Sequence, residues 1–289
     1  MDLSLKQALE QAEKNKQALG HFNVSNLEGV WAVFEAAQEL ELPVVIGVSE
    51  GEREFMGVKQ IAAIVKSLRS EFDYPVFLNA DHTYSVAKVV AAAQAGFDAV
   101  IFDAAGESLV ENIEMTKEAT EAVKAINPEI IVEAEMGYIG KSSKVMDEVP
   151  TGAIVDEVMM TDPDEAKKFV EETGVDCLAP AVGNIHGMIK SGNPRLNIQR
   201  IKNIREIAGV PLVLHGGSGI SDEDFKAAII AGIGMVHIST ELRVAYREGL
   251  EQSLTENPTE VAPYRLLKPA REAVKEVVKN RLKLFSNLG

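Results

Sequence analysis

The chain has 289 residues, of which 46% are hydrophobic and 25% charged, and a formal net charge of −15. Such a chain is ordinary for a globular protein and long enough to bury a full core, and its acidic balance argues against nucleic-acid and anionic-membrane partners. The single Cys177 excludes an intrachain disulfide framework and suits a reducing cytoplasm, and no apolar run approaches the ~20 residues of a membrane span.

The first residues, MDLSLKQALEQAEKNK, have amphipathic helical spacing and lack the cationic and apolar order of a signal peptide. Short apolar runs then alternate with helical segments. Ala18–Phe22 precedes helical spacing over Leu27–Leu40, Pro43–Val48 precedes Val58–Leu68, Pro75–Leu78 precedes Val86–Ala95, and Ala99–Phe102 precedes Leu109–Ile126. Ile130–Ala134 precedes Asp164–Glu172, Val175–Leu178 precedes Ile198–Ile207, Pro211–Leu214 precedes Asp222–Ala231, and Met235–Ile238 precedes Glu241–Leu254. Ala262–Leu284 adds a terminal helix near Pro263 and Pro269. Alternation of this kind predicts a parallel sheet. Eight units in roughly 250 residues match a (β/α)8 TIM barrel, with a doubly wound open sheet as the competitor. No composition shift marks a boundary, so residues 1–289 are read as one barrel domain with an N-terminal helix and an extra C-terminal helix. The longest interruptions, Gly137–Pro163 and Pro180–Asn197, follow predicted strand ends, where barrel active sites sit.

Four of the five histidines follow apolar runs: His82 in LNADHTYS, His186 in LAPAVGNIHG, His215 in LVLHGGSG and His237 in VHIST. Three imidazoles with an open position are a common catalytic zinc arrangement. Asp81 precedes His82 and is a candidate acid or base; Thr83 is assigned the cap of the next helix, which leaves Asp81 spare. In HGGSG, a strand ends in His215 and a glycine-rich turn opens a helix at Ser221-Asp222, a pattern suited to an anion. Ser239 and Thr240 start the last of the alternating helices and serve either as an N-cap or as phosphate contacts. His237 reads equally well as a core histidine. Glu133 and Glu135 share one face of their strand, either inward or toward the helices, and Asp103 ends the fourth run; structural salt bridges are the competing reading for all three.

Taken together, FNVSNLE, VSEG, NADH, VIFDAAGESLVENI, EAEMGYIG, GNIHG, HGGSG, ISTELR and KPAREA resemble the class II, zinc-dependent fructose-bisphosphate and tagatose-bisphosphate aldolase family from about Phe22 to Ala270. The resemblance implies a cytoplasmic lyase of carbohydrate metabolism and glycolysis, acting on fructose 1,6-bisphosphate or a related ketose phosphate to give dihydroxyacetone phosphate and an aldehyde, glyceraldehyde 3-phosphate. It implies Zn2+ (or another divalent metal) on His82, His186 and His215, Asp81 as the acid/base, and Asp103 and Glu135 supporting an alternative metal position. It implies a phosphate cradle of Gly187, Gly216, Gly217 and Ser218, with Ser239 and Thr240 in a second phosphate-binding turn, and substrate contacts at Asn23 and Ser49. Na+ or K+ beside the phosphate and a homodimer or homotetramer complete the expectation.

Departures accompany the matches. The family's Lys-x-Asn-x-x-Thr segment has Met235 for lysine and His237 for asparagine, a position that contacts substrate at its reacting end. Its Asp-Pro-Arg reads Ala262-Pro263-Tyr264-Arg265, so the arginine that reaches the distal phosphate is displaced or lost, and Lys141-Ser142-Ser143 replaces a glycine and an acidic run. Two other functions would use the same ligands: a barrel metallohydrolase and a sugar-phosphate-binding sensor.

Overall fold

The computed structural model describes residues 3–288 apart from 142, 150–152 and 154; Ser142 therefore lies outside the described residues. In chain order the elements are α1 (Leu5–Lys14), β1 (Leu19–Asn23), α2 (Leu27–Leu40), β2 (Val44–Val48), α3 (Glu50–Met56), α4 (Val58–Phe72), β3 (Val76–Thr83), α5 (Val86–Ala95), β4 (Ala99–Phe102), α6 (Leu109–Ile126) and β5 (Ile131–Met136). There follow β6 (Val145–Met146), α7 (Pro163–Thr173), β7 (Cys177–Pro180), β8 (Met188–Ile189), α8 (Ile198–Ala208), β9 (Leu212–Leu214), α9 (Asp222–Ala231), β10 (Ile233–Ile238), α10 (Thr240–Glu256), α11 (Pro263–Leu266) and α12 (Lys268–Phe285). Eight parallel strands close in the order β1-β10-β9-β7-β5-β4-β3-β2. This is the (β/α)8 TIM barrel that the alternation predicts, and closure removes the open sheet.

Period-2 alternation sorts the strand side chains into two apolar clusters. Outward residues such as Phe22, Val44, Ile46, Leu78, Val100, Val132 and Val236 pack under the helices. Inward residues Leu19, Val45, Phe77, Ala99, Ile131, Cys177, Val213 and Met235 fill the N-terminal end of the barrel. Helix α1 closes that end. Ser4 caps it through a reciprocal capping box with Gln7, and its buried Leu5, Ala8, Leu9 and Ala12 recur at helical spacing to seat against those inward residues.

The predicted terminal helix is corrected to two. Pro269 lacks an N–H and is tolerated only in a first turn, so the chain breaks at Leu267 and restarts as α12, which packs against α2 and α10. Helix α3 has no counterpart among the predicted elements, and neither has a small parallel sheet of β6 and β8 that ties the two long loops together through Val145↔Met188 and Met146↔Ile189. Thr83 is corrected as well: the residue before α5 is Ser85, while Thr83 Oγ1 accepts from Arg53 Nη2 at 2.7 Å. Asp81 is nonetheless free of capping. Among the described residues, no helix is long and apolar enough to cross a membrane.

Candidate metal-centred active site

The C-terminal ends of the strands surround a cavity of about 290 Å³. Its wall includes the sequence-predicted Asn23, Ser49, Asp81, His82, Asp103, His186, Gly187, Gly216, Gly217, Ser218, His237, Ser239 and Thr240. Glu135 and His215, 3% and 0% exposed, lie just beneath it.

Strand β3 ends at Thr83, five residues beyond the apolar run Pro75–Leu78 that announces it. His82 adopts φ 33°, a left-handed conformation that costs a non-glycine residue about 1–3 kcal/mol, and the pairing register with β4 shifts between Ala80 and Thr83. That kink lets two adjacent side chains, Asp81 and His82, reach one site. Buried Arg53 holds the kink, donating through Nη1 to the carbonyls of Val48 (2.5 Å) and Asp81 (2.8 Å).

The three predicted imidazoles converge. The ligand atoms available from His82, Glu135, His186 and His215 all lie within 4.8 Å of one another. Each ring has one nitrogen occupied by an acceptor. His82 Nδ1 donates to Asp103 Oδ2 at 2.8 Å, His186 Nδ1 to the Gly140 carbonyl at 2.6 Å, and His215 Nε2 to Glu133 Oε1 at 2.6 Å. Such bonds put the proton on the outer nitrogen and leave the inner lone pair for a metal. His215 Nδ1 and Glu135 Oε2, 3.1 Å apart, are buried with no hydrogen-bond partner. Neutral imidazole donors plus a carboxylate are a set that a divalent transition metal satisfies, so these residues fit the ion. Asp103, expected to support an alternative metal position, accepts from His82 Nδ1 and so orients that ring. Glu133 and Glu135 both face inward.

Electrostatics set proton against metal at two of these rings, since a ligand nitrogen must give up its proton when an ion binds. Burial opposes charge on His82, but the Asp81 carboxylate and the Asp103 hydrogen bond outweigh it and hold the pKa at about 9. Burial likewise opposes charge on His215, and the adjacent carboxylates of Glu133 and Glu135 push the pKa well above the ordinary value. His186, buried and beside His82 and His215, falls to about 3. Burial works against the Asp81 carboxylate too, yet His82 above all holds it well below the usual range, hence ionised. Asn23 Nδ2 donates to Asp81 Oδ2 at 2.7 Å and to Glu52 Oε2 at 3.1 Å.

At the glycine-rich turn two glycines also pack closely against backbone. The Gly217 N–H donates to the His237 carbonyl at 3.1 Å, and a Cβ on Gly216 would meet the Ile185 carbonyl oxygen at 2.1 Å. Glycine is needed there for backbone packing. Helix α9, expected to offer its N-terminus, is capped by Ser221 and carries Asp222, Glu223 and Asp224 in its first turn, which disfavours an anion. The helix whose start borders the cavity is α10: Ser218 Oγ accepts from the amides of Ser239 (3.3 Å) and Glu241 (3.2 Å), and Ser239 Oγ is buried without a partner.

Sequence reasoning missed several participants. Arg243 and Lys141 line the cavity, and Arg243 Nη2 donates to Glu52 Oε1 at 2.7 Å; its signal was a place one turn after Thr240. Arg265 bonds to Glu260 at 3.0 Å and is not among the residues of the cavity wall. His21 was missed because it sits inside an apolar run, although it shares a strand face with Asn23 two residues on.

The sequence model of the family described as fructose-bisphosphate aldolase class-II matches residues 3–289. A fructose-bisphosphate aldolase of Geobacillus stearothermophilus is 36% identical, covering 99% of this chain and 98% of its own length. One from Staphylococcus aureus is 37% identical, covering 98% and 96%. The crystal structure of the YdjI aldolase from Escherichia coli K12 superposes with a TM-score of 0.81 at 33% identity, covering 99% of this chain and 97% of the other.

Proposed function

This chain belongs to the class II fructose-bisphosphate aldolase family, metal-dependent carbon–carbon lyases, and from that premise we propose that residues 1–289 act as one catalytic domain cleaving a ketose phosphate, with Zn2+ on His82, His186 and His215 and with Asp81 as the acid/base. The observation that carries this reading is the set of three imidazoles whose outer nitrogens are each engaged by a separate acceptor. When bound, the metal supplies a Lewis acid that draws charge onto the carbonyl oxygen beside the breaking bond.

The chain's own residues do the rest. Asp81, ionised and held by Asn23, takes the proton from the hydroxyl on the carbon that leaves and returns it in condensation. The phosphate of the dihydroxyacetone phosphate half lies between Gly187, Gly216–Ser218 and the start of α10 at Ser239–Thr240, which turns remote binding energy into orientation of the reacting carbon; Na+ or K+ assists there. The aldehyde half extends past Ser49 toward Arg243 and Lys141, which meet its distal anion. The working form is a homodimer or homotetramer in the cytoplasm.

Incubation with fructose 1,6-bisphosphate tests the reading. Triose phosphate that disappears on chelation and returns with zinc supports it. Release of inorganic phosphate instead, or binding without products, or triose formation that persists after verified metal loss, rejects it.

A further inference from the structure

One group beside the site has no part in the chemistry so far. His21 is 0% exposed, and its ring lies on that of His237 with centroids 3.5 Å apart and planes 5° from parallel. His237 in turn stacks on His215 at 4.3 Å and 21°. The stack is set by the sheet, because His21 and His237 are register partners on β1 and β10. On its other side the His21 ring covers bare backbone: a Cβ at Gly47 would lie 2.0 Å from His21 Cε1 and 2.4 Å from Nε2.

We propose that His21 is a positioning residue for the acid–base site: slotted flat over Gly47, its ring fixes the plane of His237, and through that plane the place of Asp81. His237 Nδ1 stands 3.5 Å from Asp81 Oδ1. His237 Nε2 is buried with no partner and lies on a cavity-lining residue, so a fixed ring presents it to a substrate oxygen while its other edge faces the acid/base. Stability alone does not account for His21. Both its nitrogens are buried without partners, and an apolar side chain would fill the place without that cost. Burial lowers its pKa to about 4, so neutral rings stack without repulsion. His21, Asp81 and His237 also bring ligand atoms within 4.8 Å of one another. Parallel stacked rings nevertheless direct their lone pairs along parallel planes, which do not converge on one ion.

This inference rests on the assignment of Asp81 made above. The test compares His21→Leu, which keeps volume but loses the flat polar face, with His21→Asn, which keeps a flat polar group. Each purified variant is examined for steady-state kinetics, metal content and the 15N imidazole signals of His237. His21→Leu is expected to lower kcat by about 10–100-fold with KM changed less than about threefold, with metal retained and the His237 signals shifted; His21→Asn recovers most of kcat. Wild-type kcat and unshifted signals in His21→Leu overturn the proposal, and so does His21→Asn as impaired as His21→Leu. The ring signals need no substrate, so failure of the wild type to cleave any ketose phosphate would sink the aldolase assignment separately.

Discussion

The two ends of the barrel interior are built from the same strands and do opposite things. At the floor, Leu19, Phe77, Ile131, Val213 and Met235 close on one another and on α1. Two residues further along the same inward faces stand His21, Asn79, Glu133, His215 and His237, all at most 5% exposed. Two further again come Asn23, Asp81 and Glu135, also buried. Burial is thus constant along the interior while polarity is not. The floor gains from leaving water, whereas the mouth keeps unpaired polar atoms on Asn79, Asp81, Glu133, Glu135 and His215 away from water, an arrangement that costs folding free energy. One end holds the barrel together so that the other can be kept ready for a ligand.

Substitutions that separate the two ends would sharpen or break this contrast. The largest effect belongs to Asp81→Ala, expected to lower kcat by about 10²–10⁴-fold while bound metal and melting temperature stay close to wild type; retained turnover would remove the acid/base role. Next is Phe77→Ala at the floor, expected to cost about 3–5 kcal/mol in denaturant unfolding with kcat per folded molecule unchanged. A matching fall in kcat would mean that the floor also shapes the chemistry. Glu133→Gln weakens the acceptor on His215 Nε2 and should reduce metal affinity by about 10–100-fold, read by competition with a chelator. Lys168→Ala, on an exposed α7 pair with Glu172 at 3.9 Å, belongs to neither end and should move stability by no more than about 0.5 kcal/mol with activity intact.

The contrast also explains what the sequence disclosed. Apolar runs marked all eight barrel strands, and Leu27–Leu40, Val86–Ala95, Leu109–Ile126 and Asp222–Ala231 match their helices residue for residue. The third and fifth strands were ended too early, at Leu78 and Ala134, because a hydrophobic run stops where the inner face changes from core to chemistry, while the ladder continues to Thr83 and Met136. Asp81, His82, His186 and His215 were legible because each interrupts or follows such a run beside a turn. Their partners were not: the Gly140 carbonyl meets His186 only because β6 and β8 join two loops, and Glu52 and Arg53 come from α3 while Arg243 comes from α10, two helices whose approach no local pattern encodes. His21 and Gly47 passed as strand filler.

Those last two form a lock of one ring and one missing methyl. A lineage that gained any side chain at position 47 would have to surrender the imidazole at 21 in the same stroke, since the two cannot share the space. Glycine and histidine at these positions should therefore be inherited or lost as a couple, and a branch that had parted with both would carry a differently tuned pocket behind an otherwise familiar set of ligands.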